Sequence, residues 1–360
     1  MQHNYFHSVL SIIAVLLILY IIYKLKYKKR ILIDTNASPV VETFDEADTV
    51  KAAAEAEVDS IVPKYNQFNN IQSIKDKFTN MPLHEYCIKA SYNTARSGKY
   101  VSTKMIAAVI NRGCRFLDFE VFYIKEGNLY MPKVTVSSDV NYALLDTKNS
   151  ITLDDVFTTV ATNAFSQNSP NSDDPVFVHL RIKSRDSNVY QAVAKAIDAN
   201  LKTVAYTGKI SNTTNLSELM RKVIVIVDST VQPGYVEYAT CKTGDTSCYG
   251  LTNYTNLESG SEYLNLYHYT DLLNHSNEIA LLKDDNVHTT ASRIKMAIPD
   301  TVLNTSNPAY KEFVVKHACQ NVLYQFHIVD KNLNDYEEFF NDTMGGTVPL
   351  SVALPYYVKK

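Results

Sequence analysis

Residues 115–124 read RFLDFEVFYI. In an extended chain, residues two apart point to the same face, so Asp118 and Glu120 project together from one strand. Two carboxylates on one face can hold a divalent cation or pair with a cationic side chain of the protein itself. Residues 176–182, VFVHLRI, place His179 and Arg181 together by the same rule. His179 could act as a general base, and a hydrogen-bonded core histidine is the plainer alternative. Arg181 could serve as counter-charge to the two acids or bind an anionic ligand.

These side chains need strands to position them. His84 to Ser91, Arg115 to Ile124, Val176 to Ile182, Val223 to Val227, Tyr263 to Tyr269, Arg293 to Ala297 and Val322 to Val329 read as strands. The run VIVIV at Val223 to Val227 is of the kind buried on both faces of a parallel sheet. Helices are predicted over Ser102 to Asn111, Thr152 to Phe165, Asn188 to Leu201, Pro308 to Ala318 and near Tyr336 to Phe340, the second opening on a Thr-Leu-Asp-Asp start. Strand and helix alternate, which argues for α/β with a parallel sheet. About seven or eight strands suit a TIM-like (β/α)8 barrel, whose sites lie at the C-terminal strand ends. Ser229 to Gly260 is polar, contains Pro233-Gly234, and reads as a long loop or insertion.

The N-terminal part differs from the rest. Residues 8–23, SVLSIIAVLLILYIIY, carry no charge, and KLKYKKR follows at 24–30. Roughly 20 helical residues cross a ~30 Å hydrocarbon core, so 1–30 reads as an uncleaved single-pass transmembrane anchor with a lipid-contacting basic flank. The cationic flank puts the remaining chain on the cytoplasmic side or, in a virus, the virion interior. Seven Asn-x-Ser/Thr triplets pull the other way and arise readily by chance in an Asn-rich chain. Residues 31–66 read as an acidic stalk that could form a short solvated helix capped by Thr43, with too few large apolar residues for a core. Net charge is -3, so no nucleic-acid partner is expected. The five cysteines include no CxxC; Cys241 and Cys248 could pair, and free thiols throughout fit a reducing side better. The Asn-, Tyr-, Ile- and Lys-rich composition suggests an AT-rich genome such as that of a large DNA virus.

The stretch from Pro82, PLHEYCIKASYNTARSGKYVSTKMIAAVINRGCRFLDFEVF, resembles the opening of phosphatidylinositol-specific phospholipase C. Ser91-Tyr92-Asn93-Thr94 stands where that family has Ser-His-Asn-Thr, and Gly113-Cys114-Arg115 with Asp118 and Glu120 where it has Gly-Cys-Arg and Glu-Leu-Asp. NSITLDDVFTTVATNAF, DPVFVHLRI and RKVIVIV continue the X-like part over about 75–228; Ser292-Arg293-Ile294 and Ala318-Cys319-Gln320 mark a Y-like part over 261–360, after the insertion at 229–260. The resemblance implies the barrel over 67–360. It also implies a calcium ion held by Asn93, Asp118, Glu120 and a fourth carboxylate, and that fourth place is Arg181. The two reacting histidines fall on Tyr92 and on Pro132 or Lys133, and no histidine occurs between His84 and His179. Phosphate-binding lysines give way to a strand ending in Asp228, and the family's Tyr after Arg293 is Lys295.

The expectation is therefore a degenerate member with no catalytic residue, no cofactor, and a vestigial calcium site in which Arg181 replaces the ion; calcium is the one metal the pattern admits. Three functions remain open. The first is a structural or interaction protein of a membrane, with membrane or virion proteins as partners. The second is an anionic lipid or phosphoinositide module using Arg293 and Arg181. The third is an active phosphodiesterase with a rearranged acid and base.

Overall fold

The apolar runs become strands that helices cover from outside, so each strand is shielded on both faces. A computed structural model describes residues 31–32, 44–245, 247–276, 279–281, 287–289 and 293–359. The N-terminal elements are β1 (Ile31–Leu32), α1 (Phe44–Ile61), β2 (Tyr86–Ile88), β3 (Ala90–Ser91) and α2 (Thr103–Asn111). Then come β4 (Phe116–Glu126), β5 (Leu129–Val134), β6 (Leu144–Leu145), β7 (Ile151–Thr152), α3 (Leu153–Ala164), β8 (Val176–Ile182), α4 (Asn188–Leu201), β9 (Val223–Asp228) and α5 (Val236–Ala239). The rest comprises β10 (Leu257–Ser259), β11 (Leu264–His268), α6 (Tyr269–Leu273), the hairpin β12 (Ile279–Leu281) and β13 (Val287–Thr289), β14 (Ile294–Ile298), α7 (Tyr310–His317), β15 (Asn321–Tyr324), α8 (Lys331–Asp342), β16 (Thr347–Pro349) and α9 (Leu350–Lys359).

Eight of these strands are parallel neighbours in the order β3-β4-β8-β9-β10-β11-β14-β15, and β15 pairs back onto β3. The sheet is thereby closed, which removes the unpaired edges of an open sheet. This is the TIM-like barrel the sequence predicts. One step departs from strict alternation, because residues 260–263 join β10 to its parallel neighbour β11 without a helix. The strand at Val176–Ile182 and the helix at Asn188–Leu201 fall where the periodicity places them. The run at 84–91 splits instead: β2 pairs antiparallel with β16, and only β3 joins the barrel. Gly113, at φ +81 after the end of α2, makes the turn into β4, and a Cβ there would meet Ile71 at 2.7 Å.

Three expectations need correction. The stretch Ser229 to Gly260 is not simply a loop; it supplies α5 and the fifth barrel strand, β10. The acidic stalk is not a solvated spacer. Ala54, Val58 and Ile61 of α1 are buried, and Glu57 accepts from Ser97 Oγ at 2.7 Å and from the N–H groups of Lys99 and Tyr100 at 3.1 and 3.2 Å. Thr43, its expected cap, lies outside the described residues. Lastly, Cys241 and Cys248 form a disulfide, while Cys87, Cys114 and Cys319 are buried free thiols. Among the described residues no helix is long and apolar enough to cross a membrane; the apolar run at 8–23 lies outside them.

Candidate functional site

The barrel's parallel register sets Asp118 beside His179 and Glu120 beside Arg181 on β4 and β8. All four side chains converge inside the mouth, where Asp118, Glu120 and His179 have no exposed surface and Arg181 has 4%. Arg181 grips Asp118 through two parallel bonds, Nε to Oδ1 at 2.9 Å and Nη2 to Oδ2 at 2.7 Å. Its Nη1 donates to Glu120 Oε1 at 2.9 Å and to the Tyr92 hydroxyl at 3.2 Å, and Nη2 also donates to Asn93 Oδ1 at 2.8 Å. The guanidinium carbon lies 4.4 Å from the centre of the Tyr92 ring, a cation–π distance.

Asn93 follows β3 in the left-handed region, at φ 45, which asparagine tolerates better than most residues. That turn aims its backbone N–H at Asp118 Oδ2, 2.9 Å away, and its Nδ2 at Glu120 Oε1, 3.2 Å away. The other Glu120 oxygen accepts from the Ser137 N–H and pairs with Lys183 Nζ, each at 2.9 Å. His179 joins Asp118 Oδ1 through Nδ1 and Ser259 Oγ through Nε2, both at 2.8 Å.

Burial alone would raise both carboxyls. The Arg181 charge, with hydrogen bonds from His179 and Arg181, outweighs it and holds Asp118 well below the usual carboxylate range. For Glu120 the charges of Lys183 first and Arg181 second outweigh burial and lower its carboxyl. Burial likewise opposes the charge of Arg181, yet Asp118 above all raises its affinity for the proton. The Tyr92 phenol is pushed above its ordinary value by burial, so it stays protonated at neutral pH and offers no base.

The three sequence-predicted metal residues, Asn93, Asp118 and Glu120, do come together. They do not fit a divalent ion, because Asn93 Oδ1, both oxygens of Asp118 and Glu120 Oε1 already accept from Arg181. An ion reaching for six to eight oxygens would have to enter against a fixed guanidinium. The predicted ligand role of Arg181 is likewise spent on internal partners. Arg293 is not brought to the cluster at all. It is exposed and immediately precedes β14, at the N-terminal end of that strand and away from the mouth. Lys133 pairs with Glu126 at 2.8 Å on the β4–β5 hairpin, so it does not stand in for a reacting histidine. Asp228 accepts from the N–H and hydroxyl of Thr230.

Three contributors escape the sequence reading: Ser137, Lys183 and Ser259. Lys183 was within reach, since His179, Arg181 and Lys183 continue one period-two face. Ser259 was hidden in the segment read as an insertion. The chain Ser259–His179–Asp118 has the order of a hydrolytic triad, but all three side chains are fully buried. It acts as a brace for the Asp118 carboxylate. Next to the cluster, a groove of about 650 Å³ opens between the hairpin and the loop after β8, lined by Phe122, Tyr123, Tyr130, Tyr142, Lys183 and Arg185 among others.

A closed parallel barrel with a polar cluster at its mouth defines the fold class, and its first half has a counterpart among known families. The model for the phosphatidylinositol-specific phospholipase C X domain matches residues 79–228. The resemblance read from the sequence is therefore borne out. The crystal structure of L. pealei PLC21 is similar at a TM-score of 0.56 and 14% identity, over 75% of this chain and 37% of that one. PLC21 of S. officinalis is similar at 0.55 and 13%, over 89% of this chain and 46% of that one. At such identity the likeness is one of fold, and this chain spans less than half the length of either protein. No curated protein matches the sequence.

Proposed function

We propose that this protein is a membrane-anchored phospholipase C-like barrel that does not cleave phosphodiesters and serves as a structural or interaction protein. The observation that carries the reading is Arg181, which sits among the oxygens of Asn93, Asp118 and Glu120. Cleavage by an inositol hydroxyl needs a base for that hydroxyl, an acid for the leaving oxygen and positive charge on the phosphate. Tyr92 is a buried phenol bonded by Arg181, and Lys133 is held by Glu126. The Arg181 charge is turned inward to two carboxylates and is not offered to a substrate. The anchor rests on the uncharged run at 8–23 and the basic flank after it.

The test is direct. Purified protein lacking residues 1–30 is incubated with phosphatidylinositol vesicles, with and without calcium. No release of inositol phosphate above a blank is expected in either case. Turnover that disappears in Asp118→Asn would overturn the reading. A second arm tests the anchor: the full chain should stay with membranes through alkaline extraction, and the chain lacking 1–30 should not.

A further inference from the structure

Residues 229–256 leave β9 and return to β10. They pack against α4 on the way: Tyr254 donates to Asp198 at 2.8 Å, and the rings of Tyr235 and Tyr190 lie 5.7 Å apart. Within this segment Cys241 and Cys248 are joined, and both are only half-buried. Residues 242–245 and 247 between them are exposed. A small reductant or a thiol-bearing protein can therefore reach the bond. Such bonds persist where the surroundings are oxidising and are reduced by a cytosolic thiol pool.

The other cysteines suit the same surroundings. Cys87, Cys114 and Cys319 have no exposed surface, and burial pushes each thiol up to about 12. The thiolate is the species that attacks a disulfide, so none of the three competes with the bonded pair. An odd cysteine number is a hazard in an oxidising compartment. Here the unpaired thiols are shielded, and a single pairing is left.

The Asn-x-Ser/Thr triplets divide by position. Asn253 is exposed in the turn after the disulfide, where the hydroxyls of Thr252 and Thr240 meet at 3.3 Å. Asn274 is exposed at the end of α6. Asn341, in α8, is 6% exposed and already engaged. Its side chain donates to the Phe68 carbonyl at 3.2 Å and accepts from the Asn70 N–H at 3.0 Å. A branched sugar fits on the first two and not on the third. Acceptors of this kind belong to surface loops of secreted chains.

We propose that the barrel lies on the oxidising side of its membrane and carries N-linked oligosaccharides at Asn253 and Asn274. In each transfer the asparagine Nδ2 bonds the anomeric carbon of a diphosphate-linked oligosaccharide. The anomeric C–O bond breaks, the diphosphate leaves, and the amide gives up one proton. Cys241 and Cys248 pass two electrons and two protons to a protein disulfide carrier, which leaves as a dithiol. The basic flank at 24–30 favours the opposite orientation. That bias acts while the apolar run inserts, whereas the disulfide reports where the domain folds. The inference rests on the anchored reading above, and the test separates the two.

The full chain is synthesised in the presence of sealed endoplasmic reticulum microsomes and run on gels with and without endoglycosidase. Wild type should lose the mass of two glycans, Asn253→Gln and Asn274→Gln one each, and the double variant none. Asn341→Gln should match wild type. A polyethylene glycol maleimide, added in denaturant, should tag three thiols before reduction and five after it. Protein that resists alkaline extraction, carries no glycan and is digested by protease outside the sealed vesicles would overturn the proposal while leaving the anchor intact. Protein released by alkali would overturn the anchor. Five tags before reduction would overturn the oxidising side. A glycan shift that survives in the double variant would overturn the assignment of Asn253 and Asn274.

Discussion

Arg181 and Asp118 meet across the neighbouring strands β8 and β4 in a fork, with two parallel bonds of 2.9 and 2.7 Å between fully shielded groups. Desolvating such charges costs several kcal/mol per ion, and that cost is offset by partners for every Arg181 N–H group and for all four oxygens of Asp118 and Glu120. Removing one partner should therefore be far worse than the pair's net worth. Arg181→Ala is expected to destabilise the domain by roughly 3–5 kcal/mol, since Asp118 and Glu120 would be left facing each other. Urea unfolding monitored by circular dichroism measures it. A loss under about 1 kcal/mol, the range of an exposed pair, would contradict the burial of this cluster.

The same pair sets a pH dependence with a definite sign. Asp118 and Glu120 titrate below their ordinary values when folded. Groups of that kind add stability that is complete above the unfolded pKa, near 4, and is lost as pH falls through the folded value. Asp118→Asn removes this contribution. The gap in stability between wild type and Asp118→Asn should be widest above about pH 5 and close progressively below about pH 4. Urea midpoints for both proteins across this range provide the check, and a gap that stays constant would refute the assignment.

Much of this arrangement was legible before any coordinates. Asp118, Glu120 and Arg181 lie on strands whose alternation is unambiguous, so strand geometry and the resemblance sufficed to bring them together. What stayed hidden depends on contacts that no local pattern encodes. β10 is three residues long and reads Leu-Glu-Ser, too short to show a period, so the partner of His179 was lost with it. The docking of α1 runs through Glu57, which looks like one more solvated acid until the loop at 97–100 offers it three donors. Cys241 and Cys248 were visible as a pair flanking a polar loop, and only an argument about compartment turned the expectation toward free thiols.

That disulfide gives a third expectation. Native protein should show a mass two hydrogens below the fully reduced chain. Alkylation without reductant should modify none of Cys87, Cys114 and Cys319 until the protein is unfolded, because all three are buried. The cross-link closes a short loop, and the chain-entropy relation assigns it roughly 2–3 kcal/mol at most. Reduction should thus loosen the loop at 241–248 without unfolding the barrel. Rapid alkylation of five thiols in native, unreduced protein would exclude the pairing.

The brace behind Asp118 yields a fourth. Ser259→Ala would leave His179 Nε2 without its 2.8 Å partner in a fully buried position. An unmatched buried polar group costs about 1–3 kcal/mol. The variant should unfold at correspondingly lower urea. Because Ser259 has no exposed surface, a fluorophosphonate should leave the wild-type mass unchanged. Labelling at Ser259 would mean that the Ser259–His179–Asp118 chain is an open nucleophilic site and not a brace.

The last expectation reverses the charge that closes the site. Arg181→Glu exchanges a cation for a fourth oxygen-bearing side chain beside Asn93, Asp118 and Glu120. Three carboxylates and an amide oxygen then converge where a guanidinium lay, and without a cation the acids repel one another, so one of them tends to protonate. Calcium takes six to eight oxygen ligands and relieves that repulsion, with water completing the shell. A ligand that binds only the folded state raises stability in proportion to the logarithm of its concentration over its Kd. The variant should therefore melt below wild type in chelator and regain melting temperature as calcium is added, while wild type shows no such gain because Arg181 already answers both acids. Lys183, which pairs with Glu120 from the same strand as Arg181, will compete with the ion; adding Lys183→Gln to Arg181→Glu should strengthen the calcium response. Differential scanning fluorimetry with magnesium as a control reads all three proteins. A calcium-dependent gain in wild type, or none in either variant, would show that Arg181 does not occupy the place of an ion.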